Sequence, residues 1–241
     1  MNKLKLRIVI VTLEIGGAEV HLSQVLPALA EKGWSIELII LTQKLTLINK
    51  FNHKNIKIHY PSPKNYKNIP KNIKKILKLA EIFCFLCKIL WKDSNIITHF
   101  FLPEAYIFGM FAAKLTRYHG PLLMSRRSLN NYQRKYPFIG KIEREFHKHC
   151  HLILSNSKAI QHQLITEENV PLKKTALIYN GVDEKRFTVR DKISLRKKLG
   201  YLNDQFIIIC VANFIPHKGH MDLINGLSQI KDKLPVDWKA L

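Results

Sequence analysis

Gly16 and Gly17 follow the apolar run Leu6–Thr12 and open a helical pattern. A glycine pair lets backbone approach a ligand closely, and the free N–H groups of a helix start attract anions. The same pair also suits a plain tight turn. Its spacing is not G-x-G-x-x-G, so it carries no dinucleotide fingerprint. His99 and Glu104 come after a later apolar run, and Ser125, Arg126, Arg127 and Ser128 after the next. Adjacent arginines at such a place fit phosphate or carboxylate through their planar forks, although either can be a plain surface charge. Lys218 and Gly219 stand between a further apolar run and another helical pattern. A lysine there meets a phosphate as a point charge. Two glycine-bearing loops of this kind suggest a cleft that closes on a phosphorylated ligand.

Two other constellations are read as structural. His147, His149, Cys150 and His151 are too crowded for the common zinc ligand spacings. Cys84 and Cys87 form C-x-x-C, but inside the apolar run IFCFLCKIL. A redox pair belongs at a helix N-terminus, so two buried helix cysteines are expected instead. With four cysteines and nothing that points to export, the expected compartment is a reducing cytoplasm.

The elements that must position these residues alternate along the chain. Strands are expected at Leu6–Thr12, Ser35–Leu41, Ile56–Tyr60, Asn95–Phe100, Pro121–Ser125, Leu152–Leu154 and Thr175–Tyr179. Helical patterns lie between them: Ala18 to Lys32 with Gly33 as its C-cap and Pro27 as a kink, Asn72–Trp91, Pro103–Leu115 and Ile139–His149. A further helix starts at Ser155–Asn156–Ser157. This rhythm predicts a Rossmann-like parallel sheet with helices on both faces, whose ligands bind at the carboxyl ends of the strands. Asn180–Gly181–Val182–Asp183 ends the series. We divide the chain there into residues 1–183, a linker over 184–204, and the start of a second domain over 205–241. That second domain opens with a strand at Gln205–Val211 and a helix from Met221 to about Lys233.

The 241 residues allow one to two domains, and 46% hydrophobic with 24% charged residues is ordinary for a folded core. The charge is not ordinary: 39 Lys+Arg against 18 Asp+Glu gives +21. That balance favours anionic partners, or else a lysine-rich solvated surface. Nucleic acid is set aside, because zinc-finger spacing, RNP-type motifs and a convincing helix-turn-helix are all missing. The basic and then apolar N-terminus reads as a first strand rather than a signal peptide. No uninterrupted apolar run approaches the ~18 residues of a membrane span.

Three segments together carry a resemblance: VTLEIGGAEVHL, LILSNSKAIQHQLI…ALIYNGVDEKRF, and VANFIPHKGHMDLINGL. In this order they resemble the family-4 glycosyltransferases of the GT-B fold, in which two Rossmann-like domains face each other across a cleft. The resemblance implies transfer of a sugar from a nucleotide-sugar donor to a glycan or lipid-linked acceptor. It also implies retention at the anomeric carbon and no metal or other cofactor. The first domain would bind the acceptor and the second most of the donor. Gly16 and Gly17 would face the donor diphosphate and reacting sugar, Lys218 would hold that diphosphate, and Gly219 would open the helix beside it. Arg126 and Arg127, with Glu104, would lie near acceptor or phosphate contacts. Many relatives carry a cation where this chain has Asn213, and many place a histidine where it has Ser125–Arg126. His99 therefore remains only a candidate for catalysis.

The family's second domain needs more strands and helices, including a Glu-x7-Glu element that grips the donor. The sequence reaches Leu241 as a next strand should begin, so a truncated second domain is expected. A catalytically inactive homologue acting in binding or regulation is the alternative reading. The basic helix 72–91 has Ile73, Ile76, Leu77, Ala80, Phe83, Cys87 and Leu90 on one stripe and Lys71, Lys74, Lys75 and Lys78 opposite. The stripe is expected to pack on the sheet, with the basic face open to peripheral contact with an anionic membrane. The expected place is the cytoplasm, including the inner face of the cell membrane, and the expected pathway is surface polysaccharide or glycolipid synthesis. The chain is expected to bind nucleotide-sugar weakly or not at all; micromolar binding of a nucleoside diphosphate in calorimetry would overturn this.

Overall fold

The computed structural model describes residues 4–62, 66, 69–182, 184 and 191–241. Residues 63–65 and 67–68, in the lysine-rich stretch between the expected strand Ile56–Tyr60 and the helix from Asn72, lie outside the described residues. So do Asp183 and residues 185–190 of the expected joint and linker. The chain divides into two compact units, Met1–Gly181 and Val182–Leu241.

The first unit holds one seven-stranded sheet, ordered β3-β2-β1-β4-β5-β6-β7. The strands are β1 (Lys5–Ile10), β2 (Ser35–Ile40), β3 (Ile56–His59), β4 (Ile97–Phe101), β5 (Leu122–Arg126), β6 (Leu152–Ser155) and β7 (Thr175–Leu177). Every pair in it is parallel. Alternating side chains feed two cores, because successive residues of a strand face opposite ways. On one side Ile8, Ile10, Ile36, Leu38 and Ile40 pack against Leu22, Leu26 and Ala30. Those three come from α1 (Gly17–Glu31), where Ala18, Leu22, Leu26 and Ala30 recur every four residues and form the buried face. The helix runs through Pro27 without interruption, and Gly33 follows it at φ 91°, a left-handed conformation that glycine adopts without steric cost.

On the other side Val9, Ile39, Phe100, Met124 and Ile153 meet α2 (Lys71–Lys92), α3 (Pro103–Leu115), α5 (Pro137–His147) and α6 (Lys158–Thr166). A short α4 (Asn131–Lys135), not foreseen in the sequence, precedes α5. β1 and β4 are neighbours whose following helices, α1 and α3, pack into opposite cores. The chain's winding reverses there, which opens a crevice at their carboxyl ends.

Two expectations about α2 are corrected. Its stripe packs on the sheet only through its C-terminal half, where Leu86 and Leu90 are buried. Ile73, Ile76 and Leu79 stand 50%, 65% and 40% exposed, so the first half of the helix bares apolar and basic residues together. Cys84 is exposed and Cys87 half-buried rather than both being buried, because they sit where the helix leaves the core.

The sequence also hid a charge inside β1. Arg7 is 1% exposed and meets Glu37, its register partner on β2, at 2.8 Å. Its guanidinium also donates to the Asp93 carbonyl at 3.1 Å. This pair lies at the amino ends of the strands, opposite the crevice.

The second unit contains α7 (Lys192–Lys198), β8 (Ile207–Ile208), α8 (His220–Ile230) and β9 (Lys239–Ala240), with β8 and β9 parallel. The expected strand Gln205–Val211 is thus shorter, and α8 gives way at Lys231 to a 3-10 turn. Among the described residues of this unit Gln205 alone is buried, while Val211 and Phe214 are each 93% exposed.

Gly109 lets α3 sit directly on β4: a Cβ built there falls 2.0 Å from Phe100 Cε1. Overpacking of this kind costs about 1–3 kcal/mol, more than the ~1 kcal/mol that alanine gains over glycine in a helix. Gly109→Ala is therefore expected to lower the thermal midpoint by a few degrees in a melting experiment. An unchanged or raised midpoint would contradict this packing.

Candidate functional site

β1 leads through Thr12 into Gly16, the N-cap of α1, which makes no side-chain capping bond. The first helical bond of α1 runs from the Val20 N–H to the Gly16 carbonyl, at 2.9 Å. The N–H groups of Gly17, Ala18 and Glu19 precede it, so they form the open helix start. A Cβ on Gly17 would meet nothing within 4 Å. The space before it is a cavity of about 350 Å³ lined by Gly17, Ala18, Glu19, Leu102, Arg127, Ser128, Asn156 and Asn180. The segments that follow β1, β4, β5, β6 and β7 all contribute to it.

The two arginines part company here. In a strand, neighbours point to opposite faces, and Arg126 closes β5 facing the α5 side. It is 1% exposed, with Nη2 2.7 Å from Glu143 and 2.8 Å from Glu168. Arg126 is therefore not available to a ligand, which corrects its place among the contact candidates. Arg127, the next residue, turns into the cavity instead. Its Nη2 donates to Asn180 Oδ1 at 2.5 Å, and its guanidinium lies 5.9 Å from the centre of the Phe101 ring. Burial lowers its pKa and Glu19 offsets only part of that; a guanidinium keeps its charge throughout the ordinary pH range. The cavity thus sets one cation beside one carboxylate, and Thr12 Oγ1 donates to that Glu19 carboxylate at 3.5 Å.

The network behind Arg126 is extensive. Burial alone would raise Glu168, but the hydrogen bond from His147 and the charge of Arg126 hold it below the usual carboxylate range. His147 Nε2 lies 2.9 Å from Glu168 and its Nδ1 3.2 Å from the Tyr106 hydroxyl. Tyr132 donates to Glu143, and Gln133 donates to both carboxylates. Glu143, His147 and Glu168 hold ligand atoms within 4.8 Å of one another, the spacing of a metal site. The Arg126 guanidinium already stands between the two carboxylates and supplies the positive charge that a metal would. The other members of the crowded histidine cluster disperse: Cys150 is buried, while His149 and His151 are exposed.

His99 lies inside β4 rather than after it. It is buried, with Nε2 2.9 Å from Ser125 Oγ, and lines a smaller cavity of about 240 Å³ with His21, Val25 and Ile178. Burial first, then Arg127 and His21, push its pKa down to about 3. A neutral ring packed under α1 cannot deliver a proton at pH 7. Glu104 is exposed in the first turn of α3 and belongs to a neighbouring apolar cavity. In the second unit Gly219 takes φ 72° at the start of α8, directly after the 3-10 turn Pro216–Lys218; Asn213 is exposed.

Sequence reasoning missed Asn156 and Leu102. The Asn156 Oδ1 atom is buried, without a hydrogen-bond partner among the described residues, and its side chain lines both cavities. The signal was there: Asn156 stands between β6 and Ser157, whose hydroxyl caps α6. Leu102 has φ 72° and ψ 156°, a conformation that costs a non-glycine residue about 1–3 kcal/mol. Nothing in its residue type announces that.

The model of Glycosyltransferase Family 4 matches residues 15–186. The chain belongs to this family. The match starts just before Gly16 and contains Arg127, Asn156 and Asn180. In structure the chain is similar to Anabaena HepE in complex with UDP-glucose, with a TM-score of 0.73 and 18% identity, covering 98% of this chain and 59% of that one. In sequence it is 27% identical over 139 residues to the alpha-monoglucosyldiacylglycerol synthase of Acholeplasma laidlawii, covering 56% of this chain and 33% of that protein. It is also 41% identical over 54 residues to a GDP-mannose-dependent monoacylated alpha-(1-6)-phosphatidylinositol monomannoside mannosyltransferase of Corynebacterium glutamicum, covering 21% and 14% respectively. This family-4 chain thus spans a third or less of those curated relatives and about three-fifths of that structural neighbour.

Two measurements check the site's supports. Arg126→Ala leaves two buried carboxylates facing each other and is expected to cost about 3–5 kcal/mol in urea unfolding. His99 is neutral when folded and titrates near its ordinary value of 6.5 when unfolded. Its contribution to stability is whole above pH 6.5 and is lost as the pH falls toward 3. His99→Gln is expected to flatten the stability–pH slope between pH 6 and 4 by up to about 1.4 kcal/mol per pH unit. An unaltered slope would place His99 in contact with water.

Proposed function

We propose that this chain is a glycosyltransferase that moves a sugar from a nucleotide-sugar to a lipid-linked or glycan acceptor, with its first unit taking the acceptor. The observation that carries the reading is the open start of α1 facing Arg127 across the strand-end cavity, inside the segment matched by the family. Backbone N–H groups there suit the oxygens of a diphosphate, and a guanidinium suits developing negative charge as the nucleotide leaves. In this reading the transfer retains the anomeric configuration and needs no metal. Lys218 and Gly219 take part from the donor side, as the family resemblance implies. A nucleotide-sugar donor is supported by the UDP-glucose complex of HepE and by the GDP-mannose dependence of the mannosyltransferase relative. A lipid acceptor is supported by the diacylglycerol and phosphatidylinositol in the relatives' names.

The membrane belongs to the same reading. Among the described residues no helix is long and apolar enough to cross a bilayer. The first half of α2 instead offers Ile73, Ile76 and Leu79 beside Lys71, Lys75 and Lys78, all outside the core. Apolar insertion together with headgroup attraction suits the anionic inner face of a cell membrane.

Two experiments test this. At millimolar UDP-glucose or GDP-mannose with a lipid extract, label is expected to enter the organic phase, and Arg127→Ala to reduce it at least about tenfold. No transfer from either donor would overturn the reading. In liposome sedimentation, binding is expected to favour anionic over neutral vesicles, to weaken with salt, and to fall in Ile76→Glu. Equal binding to neutral liposomes would refute the membrane contact.

A further inference from the structure

Beside the polar cavity lies a second one, of about 450 Å³, between α3 and the α4–α5 pair. Its walls are chiefly Leu102, Ile107, Phe108, Tyr136, Ile139 and Ile142, with Glu104 and Ser128 as polar rim. Leu102 and Ser128 line both cavities, so an apolar compartment and a charged one share a wall. That size is within the range of ligand pockets. Apolar side chains of its lining remain exposed: Tyr136 is 50% and Ile139 38% exposed. We propose that this groove seats the hydrocarbon chain of an amphiphilic acceptor whose anionic or hydroxylated head lies at Arg127 in the adjoining cavity.

Three features converge on that occupant. An apolar groove that shares Leu102 and Ser128 with a cavity holding a cation matches a molecule that is itself apolar at one end and polar at the other. The shared wall is the strained Leu102, held in the left-handed region while its carbonyl accepts from the Tyr106 N–H at 3.1 Å. Strain that persists at a ligand wall is stored where the surroundings over-determine it. The groove is also backed by fixed polar groups. Tyr132, another of its lining residues, donates to Glu143, and its ring lies 5.5 Å from the Arg126 guanidinium. The inference deepens the reading of a lipid-linked acceptor and rests on it.

The test is calorimetric titration of the full chain with ethyl, butyl, hexyl and octyl phosphate, all below their micelle concentrations. Affinity is expected to climb with length, by up to about fourfold per methylene. Ile139→Glu, at a position already 38% exposed, is expected to flatten that climb. Ile107→Trp, which fills the groove while keeping it apolar, is expected to do the same. Arg127→Ala is expected to weaken all lengths alike and keep the climb, and Ile76→Glu on α2 to change nothing. A flat series with the native chain overturns the proposal. So does a climb that neither groove variant alters, or one that Ile76→Glu abolishes. Sugar transfer and chain-length dependence can fail separately. Lost transfer with the climb intact sinks the enzymatic reading alone, and transfer without a climb sinks the groove alone.

Discussion

A guanidinium enclosed by two carboxylates, out of water, is the interaction on which the first unit's strand-end face depends. Arg126 joins β5 to Glu143 on α5 and to Glu168 just beyond α6. Taking such charges out of water is costly, and mutual attraction offsets the cost only when hydrogen bonds complete the shell. Here His147, Gln133 and Tyr132 complete it for the carboxylates, while Nε and Nη1 of Arg126 are buried without a partner among the described residues. Burial pulls the Arg126 pKa down, and Glu143, Tyr132 and Glu168 more than restore it. With that anchor in place the following residue has no choice of face. Arg127 must project over the strand ends, and the alternation of a strand becomes the placement of a charge.

The same geometry explains why the polar and apolar cavities lie side by side. Leu102 directly follows β4 and Arg127 directly follows β5, and the two strands are register neighbours. Helix α3 leaves from one, while the α4–α5 pair follows the other. The wedge between them is apolar because α3 is apolar on most of its surface and presents Ile107 and Phe108, while α5 brings Ile139 and Ile142. Its head end is charged because it reaches the crevice where the winding of the sheet reverses.

Much of this was legible in the residues. The apolar runs located all seven strands of the first unit, and Gly16–Gly17 marked the open helix start. Those signals are local, and local signals survive the loss of the third dimension. What was hidden depended on partners far away in sequence. Arg126 and Arg127 are indistinguishable by type, and only Glu143 and Glu168 tell them apart. His99 suggested chemistry until burial removed its charge. The stripe of α2 was read correctly as periodic, but periodicity does not say how far the core beneath it extends. Cys84 and Cys87 were misjudged for the same reason. Leu102 gave no sign at all, because backbone strain is a property of place; the position of Asn156 ahead of the Ser157 cap was visible, but its unpaired amide oxygen was not.

Arg127 has a second engagement, with Asn180, which stands next to the last residue of the first unit. One side chain therefore faces the cavity and also steadies the strand's departure toward Val182. Asn180 lines the same cavity, so the residue next to the end of the first unit and the cation at its crevice form one continuous wall.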